Sequence, residues 1–227
     1  MKTYRRFTYI TLFHSFFISV CLCPMNPLSC TAMRLILLSF VFATTTTTAA
    51  SLTVQVEASN SAAAADAVVY LESASGQALP KMGRPAQIEQ KGRAFVPTVT
   101  VIQSGASISF PNNDTVRHQV YSFSPAKVFE LKLYSGAGGE PLLFDKPGTV
   151  IIGCNIHDKM SAYIQVVDTP YFAKTDNSGK AVIDNLPSGK YNLKVWYRTI
   201  PPGTPVPEQA ISFSGTDATT SFSLNKK

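Results

Sequence analysis

From residue 51 onward the sequence is built of short runs that alternate apolar and polar residues, each closed by a turn signal. Val99 and Val101 alternate with Thr98 and Thr100, and Ile108 and Phe110 with Ser107 and Ser109. Tyr191, Leu193, Val195 and Tyr197 do the same later in the chain. This period of two belongs to half-buried β-strands. Pro147-Gly148 precedes an apolar strand, Thr149–Cys154. Asp176-Asn177-Ser178-Gly179 and Leu186-Pro187-Ser188-Gly189 mark two further turns. No helical heptad, internal repeat or phosphate-binding loop interrupts the pattern, so an all-β chain with little helix is expected. Pro201–Pro207 reads as an exposed extended loop and Ser59–Ala65 as a flexible turn.

The first 50 residues follow a different logic. Lys2, Arg5 and Arg6 precede an apolar run from Phe7 to Cys23, and Arg34 precedes a second from Leu35 to Ala43. Thr48 and Ala50 are small residues at the positions a signal peptidase reads, which places a cut before Ser51. Met33 is then the true start, or the whole stretch is one long leader, or it remains as an anchor. Neither run reaches the roughly 20 uninterrupted apolar residues of a spanning helix. Export to the periplasm or beyond is common to these readings, and no membrane span is expected in the mature chain.

The leader also accounts for most of the positive charge. The full chain carries +6, but the four leader bases are balanced by no acid, leaving 16 Lys+Arg against 14 Asp+Glu. Nucleic-acid binding requires basic residues clustered on the folded part, so that class is excluded.

Of the four cysteines, Cys21, Cys23 and Cys30 lie in the leader and only Cys154 follows it, so no internal disulfide is possible in the exported part. The histidines left are His118 and His157, and the methionines Met82 and Met160. Cys154, His157 and Met160 fall within one seven-residue run, Cys154-Asn155-Ile156-His157-Asp158-Lys159-Met160. One thiolate, two imidazoles and a thioether make up a trigonal His₂Cys copper site with a weak axial Met. Soft sulfur suits Cu(I) and imidazole suits Cu(II). Structural zinc prefers four strong Cys or His ligands, and only three are present. Multicopper catalysis needs further histidines, so no enzyme activity is expected.

The runs around these ligands resemble the cupredoxins, the small blue-copper proteins. Ala94–Pro97, Val99–Gln103, Gly105 and Ile108–His118 are similar to the strand–turn–strand that leads to the first ligand histidine of plastocyanin and amicyanin. The C-x₂-H-x₂-M spacing of Cys154–Met160 resembles the short ligand loop of amicyanin. His118–Leu131 and Gly153–Asp158 further resemble exported proteins labelled "methylamine utilization protein". The resemblance implies a Greek-key β-sandwich that binds one copper ion through His118, Cys154, His157 and Met160. It implies one-electron transfer between unidentified protein donors and acceptors. Gln119 stands where small cupredoxins have an Asn that ties the two ligand loops together, and Asn155-Ile156 where Ser/Thr-Pro is common. Asn112 and Asn155 are expected to hold the backbone beside the two ligand loops. Asp158 and Lys159 are expected on the surface, as solvated charges or contacts to a redox partner. A copper carrier or sensor that does not cycle, and a purely structural sandwich, are the alternative readings.

Thr175–Lys180 followed by Ile183–Val195 resembles a second family, the carboxypeptidase regulatory-like, or transthyretin-like, sandwiches. The strand pair with which that family begins is matched by Leu52–Val56 and Ala67–Leu71. The expected organisation is therefore a leader at 1–50, a discontinuous sandwich made of 51–80 plus 168–227, and a cupredoxin domain at 81–167 inserted between them. In the alternative, 51–80 is the opening strand pair of the cupredoxin itself.

Overall fold

The computed structural model describes residues 50–58 and 61–224. The proposed cleavage site, the start at Met33, the leader cysteines and His14 lie outside the described residues, as do residues 59–60 of the expected Ser59–Ala65 turn.

The described residues form an all-β structure without a helix. Seventeen strands follow one another: β1 (Leu52–Glu57), β2 (Val68–Ser73), β3 (Ala86–Gln87), β4 (Glu89–Lys91), β5 (Ala94–Val96), β6 (Val99–Gln103), β7 (Ala106–Ser109), β8 (His118–Ser124), β9 (Lys127–Tyr134), β10 (Leu142–Phe144), β11 (Gly148–Gly153), β12 (Ser161–Val167), β13 (Phe172–Lys174), β14 (Lys180–Ile183), β15 (Gly189–Trp196), β16 (Glu208–Phe213) and β17 (Ala218–Ser223). No helix among the described residues is long and apolar enough to cross a membrane.

Two sheets bury one core between them at one end of the molecule. The order β14-β1-β17 forms one and β13-β2-β15-β16 the other. In β1, Leu52, Val54 and Val56 are buried while Thr53 and Gln55 are half-buried, the alternation expected of a strand with one wet face. They meet Val69, Leu71, Ala181, Ile183, Leu193 and Val195. β1 runs antiparallel to β14 and parallel to β17. β2 pairs antiparallel with β13 and β15. The strands of 51–80 thus pair with strands of 172–223.

The second core lies between the five-stranded sheet β6-β12-β11-β8-β9 and the three-stranded sheet β10-β7-β3, with the β4–β5 hairpin beside them. Phe95, Ile102, Ile108, Phe110, Phe144, Ile152 and Ile164 fill it. Fully burying such a side chain contributes on the order of 1.5–3 kcal/mol.

A third, smaller cluster joins the two cores. Val68 and Tyr70 of β2 and Trp196 of β15 pack against Val99 of β6 and Val167 of β12. The rings of Tyr163 and Trp196 lie 5.7 Å apart. This explains the unbroken burial of Val68–Leu71, since Val69 and Leu71 face the first core and Val68 and Tyr70 face the seam. Lys174 Nζ reinforces the seam by donating to Val99 O at 3.2 Å.

Candidate metal centre

Strand parity brings the ligands together. In β8, Val120 and Ser122 point inward; in β11, Val150 and Ile152; in β12, Ala162, Ile164 and Val166. His118, Cys154 and Met160 continue those inward positions at the adjoining ends of three neighbouring strands. Gly153 pairs with Tyr121 on one side and Ser161 on the other. One residue further, the Cys154 N–H donates to Met160 O at 3.2 Å.

A β-bulge sets the orientation at His118. His118 faces Tyr134 while Val120 faces Leu131, so β9 carries one extra residue. Lys132 and Leu133 are consequently both exposed, and Tyr134 turns back toward the core. Re-aiming a side chain is what such bulges do next to functional sites.

The turn after Cys154 closes when the Met160 N–H donates to His157 O at 2.9 Å, and it folds His157 back over the thiol. Cys154 Sγ lies 3.9 Å from His118 Nδ1 and 4.0 Å from His157 Nδ1. The three ligand atoms all fall within 4.8 Å of one another. Metal bonds of about 2.3 Å to sulfur and about 2.0 Å to nitrogen, opened to about 120°, span roughly 3.8 Å between ligand atoms. The His–Cys–His set therefore fits one transition-metal ion. His118 and Cys154 are buried and His157 is half-buried. The two imidazoles stand 4.9 Å apart, centre to centre, at 60°. Met160, 2% exposed, packs in the same core as Cys154, and both line one open cavity with Tyr121, Ile151 and Gly153.

The neighbouring amides divide. Asn112 is buried, and its Nδ2 donates to Val116 O at 3.0 Å and Tyr134 O at 2.7 Å. It thereby ties the loop that leads to His118 to β9. Asn155 is exposed and makes no side-chain hydrogen bond among the described residues, so it does not hold the second loop. Gln119, the residue after His118, reaches sideways to Glu130 Oε1 at 2.6 Å. Asp158 and Lys159 are exposed, as expected.

Two features were not anticipated. Asp114 Oδ2 lies 2.9 Å from His118 Nε2. That hydrogen bond, reinforced by the Arg93 and Thr115 N–H groups, holds the Asp114 carboxyl down at about 2. The sequence signal was an acid four residues before the histidine, in a turn-forming Asn-Asn-Asp-Thr run. The second feature is a polar brace under the loop. Gln90, fully buried, donates to Phe110 O at 3.1 Å, and the Tyr134 hydroxyl donates to the same carbonyl at 2.5 Å. Nothing in the sequence around Gln90 pairs it with Tyr134.

No family model and no curated protein matches this chain. Among solved structures, a purple cupredoxin from Nitrosopumilus maritimus aligns at 22% identity, TM-score 0.32, over 36% of this chain and 98% of that one. Amicyanin from Paracoccus versutus aligns at 12% identity, TM-score 0.33, over 43% of this chain and 97% of that one. Pseudoazurin from Hyphomicrobium denitrificans aligns at 18% identity, TM-score 0.32, over 37% of this chain and 75% of that one.

Proposed function

We propose that this protein is an exported mononuclear blue-copper protein that carries single electrons between protein partners and is not an enzyme. One observation carries the reading: Cys154 Sγ sits between the Nδ1 atoms of His118 and His157, at 3.9 and 4.0 Å, at the end of a close-packed sandwich. Copper, when bound, supplies reversible one-electron chemistry. Cys154 would hold the ion as thiolate, His118 and His157 would offer Nδ1, and Met160 a thioether from the same core. His118, Cys154 and Met160 are each at most 5% exposed, which limits the access of water to them. Their anchorage at strand ends would hold their spacing against a change of oxidation state. His157, the half-buried member, gives the site its route to the surface.

The division into modules belongs to the same proposal. Residues 51–80 plus 168–227 form a regulatory-like sandwich with the cupredoxin domain, 81–167, inserted. The strand pairings and the two separate cores support this. The basic and apolar leader supports export.

The visible spectrum of the purified chain loaded with Cu(II), beside Cys154→Ser, tests the function. An intense thiolate-to-copper band, lost in the variant, is expected. A colourless protein, or a faint band indifferent to Cys154, rejects it.

A further inference from the structure

We propose that Asp114 is a positioning residue for His118: it fixes which ring nitrogen meets the metal and, as a neighbouring negative charge, biases the site toward the higher oxidation state. This rests on the copper reading and deepens it.

The geometry is specific. His118 is 0% exposed, so no solvent competes for its ring, and its Nε2 lies 2.9 Å from Asp114 Oδ2. An ionised carboxylate accepts hydrogen bonds and donates none. Nε2 therefore carries the proton, and Nδ1, the nitrogen facing Cys154 Sγ, is left with its lone pair for a metal. The carboxylate is itself held on several sides. The Arg93 N–H donates to Oδ2 at 2.7 Å and the Thr115 N–H to Oδ1 at 2.9 Å. Asp114's own N–H donates to Asn112 Oδ1 at 3.0 Å. Asn112 is in turn fixed to Val116 O and Tyr134 O.

The Arg93 contact shows that the arrangement reaches beyond the loop. Gly92 and Arg93 join β4 to β5 with φ of +60° and +58°. Two successive left-handed residues make the tight turn of a two-residue hairpin. Glycine adopts that conformation freely and arginine does not. The turn points the Arg93 N–H at the carboxylate, so a small hairpin outside the five-stranded sheet helps hold a metal ligand through Asp114. The charge-assisted bond strengthens the imidazole as an electron-pair donor, and a stronger donor favours Cu(II) over Cu(I). An acid left free in solvent at this position would do neither.

The test uses the full chain with Asp114→Asn, which keeps an acceptor oxygen but removes the charge, and Asp114→Glu, which keeps the charge. Cu(II) affinity in Asp114→Asn is expected to fall at least about tenfold with Cu(I) affinity little changed. For a one-electron couple that raises the reduction potential by about 59 mV. Asp114→Glu is expected to recover part of the loss. Independently, ¹⁵N spectra of the metal-free wild type at alkaline pH are expected to show His118 protonated on Nε2. An unchanged potential in Asp114→Asn, or a metal-free His118 protonated on Nδ1, overturns the proposal. A wild type that takes up no copper overturns the blue-copper reading instead, while the imidazole spectrum still decides the role of Asp114.

Discussion

At the scale of single residues, the polar brace beneath the first ligand loop makes a sharp demand. Gln90 is fully buried, its Oε1 has no partner among the described residues, and its amide nitrogen depends on Phe110 O and the Tyr134 hydroxyl. Tyr134→Phe removes one of those partners and leaves the buried amide less satisfied, at a cost of about 1–3 kcal/mol in the metal-free protein. The phenol also carries a pH signature. Burial, with the nearby Cys154 adding to it, pushes its ionisation up to about 12, against the pull of the Gln90 hydrogen bond. The fold thus favours the neutral phenol, and an unfolded tyrosine ionises near 10. Its contribution is complete below pH 10 and is lost as pH rises from 10 toward 12. Denaturant melts across that window should show Tyr134→Phe losing less stability than the wild type; equal slopes would refute the assignment. Of the cluster, Cys154, His118 and His157 were legible because such residues are scarce after position 50. Asp114, Gln90 and Tyr134 were not. Acids, amides and tyrosines are common, and what distinguishes these three is a through-space hydrogen bond that no spacing rule encodes.

At the scale of elements, the alternation that marks a strand also decides which side chains share a face. That is how β8, β11 and β12 deliver His118, Cys154 and Met160 to one end of one core. The run Val99–Gln103 coincides with β6, and Thr149–Cys154 and Tyr191–Tyr197 correspond to β11 and β15 with ends shifted by a residue or two. The bulge in β9 was not legible, because Glu130-Leu131-Lys132-Leu133 goes on alternating polar and apolar through it, although Lys132 and Leu133 are both exposed. The two-residue β3 was likewise too short to carry a period. Turns were clearer. Gly179 closes the Asp176–Lys180 turn at φ +79°, and a Cβ there would lie 2.5 Å from Val56 O of β1. Gly179→Ala therefore combines left-handed strain of about 1–3 kcal/mol with a clash against backbone. Gly203 has nearly the same φ, +82°, with nothing within 4 Å of its Cβ position. Gly203→Ala is the control, carrying the strain without the clash. Thermal melts should show Gly179→Ala losing clearly more; equal losses would mean that β1 yields freely.

At the scale of the whole molecule, the question is whether two cores make one folding unit. Each is a sandwich with its own apolar interior, and two modules that met only through polar surface would be expected to unfold separately. The seam argues otherwise. Val68, Tyr70, Val99, Val167 and Trp196 are all at most 5% exposed, and the strands that carry them also line the cores, β2 and β15 on one side, β6 and β12 on the other. Loss of one core would strip the seam and uncover the outer face of the other. Ala67–Leu71 was legible as a strand, but that both its faces are buried, and against what, was not, because an apolar run does not say what it meets. The chain contains a single tryptophan, and it lies in the seam. Its fluorescence therefore reports on the junction, while far-ultraviolet circular dichroism reports on both sandwiches together. In the metal-free protein the two probes are expected to give coincident denaturant transitions, the mark of one cooperative unit. Truncating a buried aromatic of this size costs about 3–5 kcal/mol. Trp196→Ala should accordingly lower the common transition, or split it in two by circular dichroism once the junction no longer couples the cores. Wild-type transitions that already differ between the probes would show that the seam is contact without cooperativity, and that the sandwich carrying His118, Cys154 and His157 folds without help from its companion.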